Sequence, residues 1–124
     1  MSKQTHTILV VDDELINRKM LARLLEADYR PLTASSGQEA LEILRRERVS
    51  LVIADQRMPG MSGTELLASV HSSDPEIVCM MMSAVNDTEV LIDAITKSGA
   101  VRMVNKPWDS DKLLQDIQSL LEKY

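Results

Sequence analysis

The sequence predicts an α/β domain built on a doubly wound parallel sheet, and three features carry that expectation. Short apolar runs recur along the chain, among them Ile8–Val11, Leu51–Ala54 and Ile77–Met82. Segments with apolar residues at helical spacing separate the runs. Several of the runs stop abruptly at a charged or hydroxyl residue. Runs this short and this apolar read as strands covered on both faces, and strands alternating with helices give a parallel sheet.

The elements follow in order. Ile8–Val11 is the first strand. Glu14 to Glu26 is a helix, with Ile16, Met20, Leu21, Leu24 and Leu25 as its stripe. Pro31–Ala34 is a short strand. Ser36-Gly37-Gln38-Glu39 opens the second helix, with Ser36 and Glu39 at capping-box spacing and Ala40, Leu41, Ile43 and Leu44 as the stripe. Leu51–Ala54 is the third strand. The loop Gln56-Arg57-Met58-Pro59-Gly60-Met61-Ser62-Gly63 holds Pro and two Gly and precedes a third helix, Thr64–Val70. Ile77–Met82 is the fourth strand, after the turn Ser72-Ser73-Asp74-Pro75. Asp87–Ser98 is the fourth helix, carrying Val90, Leu91, Ala94 and Ile95 and stopped by Gly99. Val101–Val104 is the fifth strand. Asp109 caps the fifth helix, whose stripe is Leu113, Leu114, Ile117, Leu120 and Leu121. The common flavodoxin-like order 2-1-3-4-5 fits these five strands and five helices, with right-handed crossovers.

Residues 1–124 suit one domain with one aliphatic core, since Tyr29, Trp108 and Tyr124 are the only aromatic residues. The last helix has no stop signal before Tyr124, which fits a chain that continues as well as fraying at a terminus. A net charge of −5 without a basic cluster argues against direct nucleic-acid binding. No apolar stretch is long enough for a membrane span, and the polar start, Met1 to Thr7, shows no signal peptide. Cys79, alone in an apolar run, reads as a buried thiol in a reducing compartment, so the cytoplasm is expected. Met58 and Met61 read as packing, Trp108 as a cover for the start of the last helix, and Glu26 with Arg30 as a surface pair. His6 and His71 receive no role.

The run ends carry the chemistry. Asp12 and Asp13 follow the first strand, Asp55 the third, Ser83 the fourth, and Lys106-Pro107 the fifth. Ligands of open parallel sheets bind beyond the carboxyl ends of the strands. In the order 2-1-3-4-5 the first and third strands are neighbours, roughly 4.8 Å apart, so three carboxylates crowd together. Their repulsion is relieved by a divalent cation, and an all-oxygen donor set suits Mg²⁺. No Cys/His cluster favours zinc. The lysine ammonium and the Ser83 hydroxyl suit an oxyanion. Asp55, alone at its strand end before a Gly/Pro loop, is the expected nucleophile towards phosphorus.

Asp12-Asp13, Asp55 with Met58-Pro59-Gly60-Met61-Ser62-Gly63 behind it, Ser83-Ala84 and Lys106-Pro107 together resemble the receiver domain of two-component response regulators, in order from about residue 7 to 124. The resemblance implies that Asp55 accepts a phosphoryl group from a sensor histidine kinase or phosphotransfer protein. It implies Mg²⁺ held by Asp12, Asp13, Asp55 and the backbone carbonyl of Arg57, phosphoryl oxygens held by Ser83 and Lys106, and a cis Lys106–Pro107 bond. It implies a signalling switch without a separate substrate, and an output domain or effector protein reached through the face of the fourth helix, fifth strand and fifth helix. A homodimer through that face is compatible with it. The family carries an aromatic residue three positions before the lysine, where this chain has Met103, so the relay differs here. Arg57 and Val85, each two residues beyond a site residue, are candidates for tuning phosphoryl lifetime. A phosphatase of the haloacid-dehalogenase type wants a second Asp two residues after its nucleophile, where this chain has Arg57. A flavin phosphate would be repelled by Asp12-Asp13.

Overall fold

The computed structural model describes residues 6–83, 96, 102–106 and 108–123. The elements run β1 (Thr7–Val11), α1 (Leu15–Leu25), β2 (Arg30–Ala34), α2 (Gly37–Arg46), β3 (Leu51–Asp55), α3 (Gly63–Ser73), β4 (Val78–Ser83), β5 (Arg102–Asn105) and α4 (Ser110–Lys123). The described residues thus form four helices against the five expected. The helix expected over Asp87–Ser98 falls outside them except for Thr96, which is helical. Val85 and Pro107 also lie outside, and with them the expected cis bond.

All five strands pair in parallel in the order β2-β1-β3-β4-β5, as expected. The side chains of each strand alternate between two apolar layers. Leu9, Val11, Val52, Ala54, Cys79 and Met81 pack under α2 and α3. Ile8, Val10, Leu51, Ile53, Met80 and Met82 pack under α1 and α4. Every residue of β1, β3 and β4 is buried, which is why these strands are apolar apart from Thr7 at the start of β1 and Asp55 and Ser83 at the ends of β3 and β4. Cys79 is 1% exposed, and burial pushes its thiol up to about 12. Met58 closes the α2–α3 layer with Met61 against it, so both methionines pack as expected. Trp108 packs against the α1–α4 layer, which agrees with its reading as a cover.

The helix ends depart from expectation in instructive ways. Ser36 does cap α2, its hydroxyl accepting from the Glu39 amide at 3.1 Å. The reciprocal arm of the box is missing, because Glu39 instead accepts from the amide and hydroxyl of Ser35, at 2.6 and 3.0 Å. The complete capping box stands at α3, where Glu65 N–H donates to the Ser62 hydroxyl (3.1 Å) and Ser62 N–H to the Glu65 carboxylate (3.0 Å). Asp109 caps α4 through the Lys112 amide at 3.2 Å. On α1, Leu21 and Leu25 are buried, but Ile16 and Met20 are not core residues. They are 72% and 55% exposed, beside Leu15 at 53%. At 100° per residue the 21/25 line faces the sheet, and the 16/20 line is turned one residue away from it. Arg30 pairs with Glu47 at 3.0 Å rather than with Glu26.

Candidate functional site

Strand register assembles the site. Val11 pairs with Ala54, so Asp12 and Asp55 leave β1 and β3 side by side. Asp55 pairs with Met82 and Ser83 with Asn105, which brings Ser83 and Lys106 to the same sheet edge. Lys106 N–H donates to the Ser83 carbonyl at 3.0 Å, which extends the β4–β5 ladder and fixes the lysine at the strand ends. Its ammonium lies 3.0 Å from the Asp55 carboxylate and 3.2 Å from that of Asp12.

Asp12 is fully buried and held from several sides. Its main-chain amide donates to Ala34 at 3.1 Å. Its carboxylate accepts from the Glu14 amide at 2.9 Å, and its carbonyl accepts from the Arg18 guanidinium at 2.8 Å. Asp13 is exposed. Asp12, Asp13 and Asp55 each bring a carboxylate oxygen within 4.8 Å of the others. One ammonium against three carboxylates leaves two negative charges in a small volume. Asp55 is perturbed chiefly by its burial. Burial raises its pKa and the charge of Asp12 adds to the rise, while Lys106 and a hydrogen bond from the Arg57 amide oppose it. For Lys106, burial works against the charged form, but Asp55 and Asp12 outweigh it and raise its pKa. The donor set is all oxygen and short of positive charge, so it fits a divalent hard cation such as Mg²⁺.

The loop behind Asp55 is tied at both ends. Gln56 N–H donates to the Met82 carbonyl (2.9 Å), and the Gln56 carbonyl accepts from Gly63 (3.0 Å). The Gln56 side-chain oxygen accepts from both the amide and the hydroxyl of Thr64, each at 2.8 Å. Gly63 is required by this closure. A Cβ there would stand 2.5 Å from the Asp55 carbonyl oxygen and 2.9 Å from Gln56 Cα. Gly60 turns the loop at φ +82°.

Of the residues singled out in the sequence, Asp12, Asp13, Asp55 and Lys106 therefore meet. Ser83 is buried at the same edge, 1% exposed. The Arg57 side chain is exposed, while its amide touches Asp55. Met103 is half-buried, paired with Met81 and packed on the α2–α3 layer. Val85 lies outside the described residues. Arg18, Gln56 and Thr64 were not singled out, because each acts through a main-chain group or a local side-chain bond that no sequence pattern marks.

The family model for the response regulator receiver domain matches residues 8–118. The chain belongs to the receiver domain family of response regulators. It is 39% identical over 98% of its length to the hydrogenase transcriptional regulatory protein HoxA of Cupriavidus necator. It is 36% identical, again over 98%, to the transcriptional regulatory protein GlrR of Escherichia coli K12. This receiver domain spans about a quarter of the length of those curated relatives, 25% and 27%. Among solved structures, the signal receiver domain of an HD domain-containing protein from Pseudomonas fluorescens Pf-5 superposes with a TM-score of 0.91 at 30% identity, covering 95% of each chain. Chemotaxis protein CheY4 of Vibrio cholerae superposes at 0.86 and 28%, covering 92% of this chain and 97% of that one. Among the described residues, no helix is long and apolar enough to cross a membrane.

Proposed function

We propose that this receiver domain is the phosphorylation-dependent switch of a two-component system, with Asp55 as the phosphoacceptor. The observation that carries the reading is the buried Asp55 carboxylate, 3.0 Å from the Lys106 ammonium in a centre that also gathers Asp12 and Asp13. In the proposed transfer, an Asp55 oxygen attacks the phosphorus of a phosphohistidine on a sensor histidine kinase or phosphotransfer protein. The P–N bond breaks and its electron pair stays on the imidazole. Asp12, Asp13, Asp55 and the Arg57 carbonyl would hold Mg²⁺, which would supply charge neutralisation at the phosphoryl oxygens. Lys106 releases Asp55 and takes up a phosphoryl oxygen, and the Ser83 hydroxyl donates to another. The domain has no separate substrate, and water attack on the phosphoaspartate resets it, at a rate set by Arg57 and Val85.

The added charge of about −1.5 to −2 draws Ser83 inward and shifts an existing equilibrium on the face formed by residues 87–98, β5 and α4. With Met103 in place of an aromatic ring, packing rather than a hydroxyl transmits the shift. That face reaches an output domain or effector protein, and a homodimer through it is part of the proposal. The exposed Leu15, Ile16 and Met20 flank the acidic centre and suit the partner that delivers the phosphoryl group. A cytoplasmic setting agrees with the single, buried Cys79.

The test is intact mass after incubation with Mg²⁺ and acetyl phosphate, beside Asp55→Asn. One phosphoryl adduct, dependent on Mg²⁺ and missing from Asp55→Asn, is expected. An adduct that survives Asp55→Asn would move the nucleophile elsewhere. Absence of any adduct, together with no beryllofluoride binding, would end the phosphoacceptor reading.

A further inference from the structure

The loop that follows Asp55 must place two groups of Arg57 at once. Its amide faces the Asp55 carboxylate, near enough to help hold that group's pKa down, and its carbonyl belongs to the proposed cation site. The Arg57 side chain is exposed and cannot anchor them. The anchoring falls to the residue between. Gln56 is half-buried and makes four hydrogen bonds: main chain to Met82 and Gly63, and side-chain oxygen to the Thr64 amide and hydroxyl. The Thr64 amide is one of the first N–H groups of α3, which have no partner within the helix. The Ser62–Glu65 capping box satisfies its neighbours, and Gln56 satisfies this one. The side chain therefore fastens the end of β3 to the first turn of α3. Gly63 allows the close approach by presenting no Cβ to the Asp55 carbonyl.

We propose that Gln56 is a positioning residue for the phosphoacceptor centre: its clamp on Thr64 fixes the 56–57 peptide, which aims the Arg57 amide at Asp55, and with it the start of the segment that carries the Arg57 carbonyl towards the cation. Main-chain bonds hold the peptide between residues 56 and 57 only through the Gln56 carbonyl, which leaves it able to tilt about that contact. Two short bonds to the side chain oppose that tilt. Thr64 serves better than most residues because it offers two donors, amide and hydroxyl, to one acceptor. The cation part of the inference rests on the proposed function, whereas the approach of the Arg57 amide to Asp55 does not.

The experiment compares Gln56→Ala, Thr64→Val and Thr64→Ser with the parent domain. Two quantities are read on the same samples: the Arg57 amide resonance by NMR without metal, and the Mg²⁺ dissociation constant by calorimetry. Groups that orient metal ligands typically change affinity by about 10-fold when removed. Gln56→Ala is expected to weaken Mg²⁺ binding by about that factor and to shift the Arg57 amide upfield as its bond to Asp55 loosens. Thr64→Val, which keeps the amide donor, is expected to fall between, and Thr64→Ser to behave as the parent. A purely structural role for Gln56 would lower the urea midpoint while leaving the Arg57 resonance and the dissociation constant of the folded protein unchanged, and that outcome overturns the inference. Should Gln56→Ala fail to fold, Thr64→Val with an unmoved Arg57 resonance overturns it as well. A parent domain that binds no Mg²⁺ counts against the proposed function, while the Arg57 resonance still decides the clamp.

Discussion

Replacing each of three glycines by alanine separates three physical reasons for glycine around the site. At Gly63 the new Cβ would lie 2.5 Å from the Asp55 carbonyl oxygen and 2.9 Å from Gln56 Cα. Both distances are well inside the roughly 3.5 Å at which non-bonded heavy atoms rest. Both obstacles are main chain, so no rotamer change relieves them. The helix start must move off the strand end, against the Gly63–Gln56 and Thr64–Gln56 hydrogen bonds. Overpacking costs typically 1–3 kcal/mol, and the main-chain obstacles put Gly63→Ala at about 3 kcal/mol. Gly60 meets nothing within 4 Å, but its φ is +82°. The left-handed penalty of about 1–2 kcal/mol is partly offset by the lower entropy of the unfolded chain, leaving about 1 kcal/mol. At Gly37 the obstacle is the Met61 side chain, with its sulfur at 2.7 Å and its Cβ at 2.9 Å. The sulfur can swing aside but the Cβ moves only with the Met61 main chain, and alanine's advantage of about 1 kcal/mol as a helix former offsets part of that overpacking, which puts Gly37→Ala at about 1 kcal/mol. Urea titrations of the three variants at equal m-value give the comparison. A Gly63→Ala loss no larger than that of Gly37→Ala would refute the argument that close approach to Asp55 is what demands glycine there.

Lys106→Met leaves Asp12 and Asp55 without their shared ammonium and should destabilise the metal-free domain by about 3 kcal/mol, the lower end for breaking a buried pair. Urea titration of Lys106→Met combined with Asp55→Asn should recover part of that loss. Because the Asp55 pKa is raised in the folded state, its contribution to stability is present below the unfolded pKa and is lost as pH rises through the folded value. In metal-free buffer, Asp55→Asn should therefore gain stability over the parent as pH increases across that window, measured by melting temperature. Glu39 has the opposite sign. Bonds from Ser35 lower its pKa, so its contribution holds above the unfolded value and fades as pH falls through the folded one. Glu39→Gln should lose less than about 1 kcal/mol at neutral pH and nothing in strong acid, since the group is exposed. Ile16→Asp should slow transfer from a phosphohistidine partner while leaving the acetyl phosphate adduct unchanged; equal slowing of both would count against the α1 patch as a docking surface.

The sheet was legible in the sequence because burial on both faces leaves a run with no polar residue to confuse it, as in Ile8–Val11 and Leu51–Ala54. The site was legible for the same reason. A carboxylate or ammonium at the end of such a run stands out against it, and parallel pairing brings run ends together. The reading failed where geometry finer than periodicity decides. Ile16 and Met20 share helical spacing with Leu24, but the i/i+4 line drifts by about 40° per step, so Leu24 reaches the core while Ile16 and Met20 stay in solvent. The Ser36–Glu39 and Ser62–Glu65 patterns are the same in sequence, yet only the second closes, because at the first a neighbouring Ser35 competes for the carboxylate. Arg30 chose Glu47 over Glu26 because β2 ends the crossover beside the end of α2. Arg18, Gln56 and Thr64 left no trace, since each bonds a main-chain group, the Asp12 carbonyl or the Thr64 amide, and main-chain partners carry no sequence signature.

Cys79 offers the domain a clock. Its thiol sits in the fully buried strand β4 and is pushed up to about 12, so a thiol reagent in neutral solution finds neither access nor thiolate. Labelling then counts only those molecules whose sheet has opened around β4, the strand that ends at Ser83. When opening and closing are fast relative to reaction, the labelling rate measures the free energy of that opening. The same reagent added with and without beryllofluoride would report, from one native sulfur and no introduced probe, how much occupation of the Asp55 centre tightens the sheet beneath it.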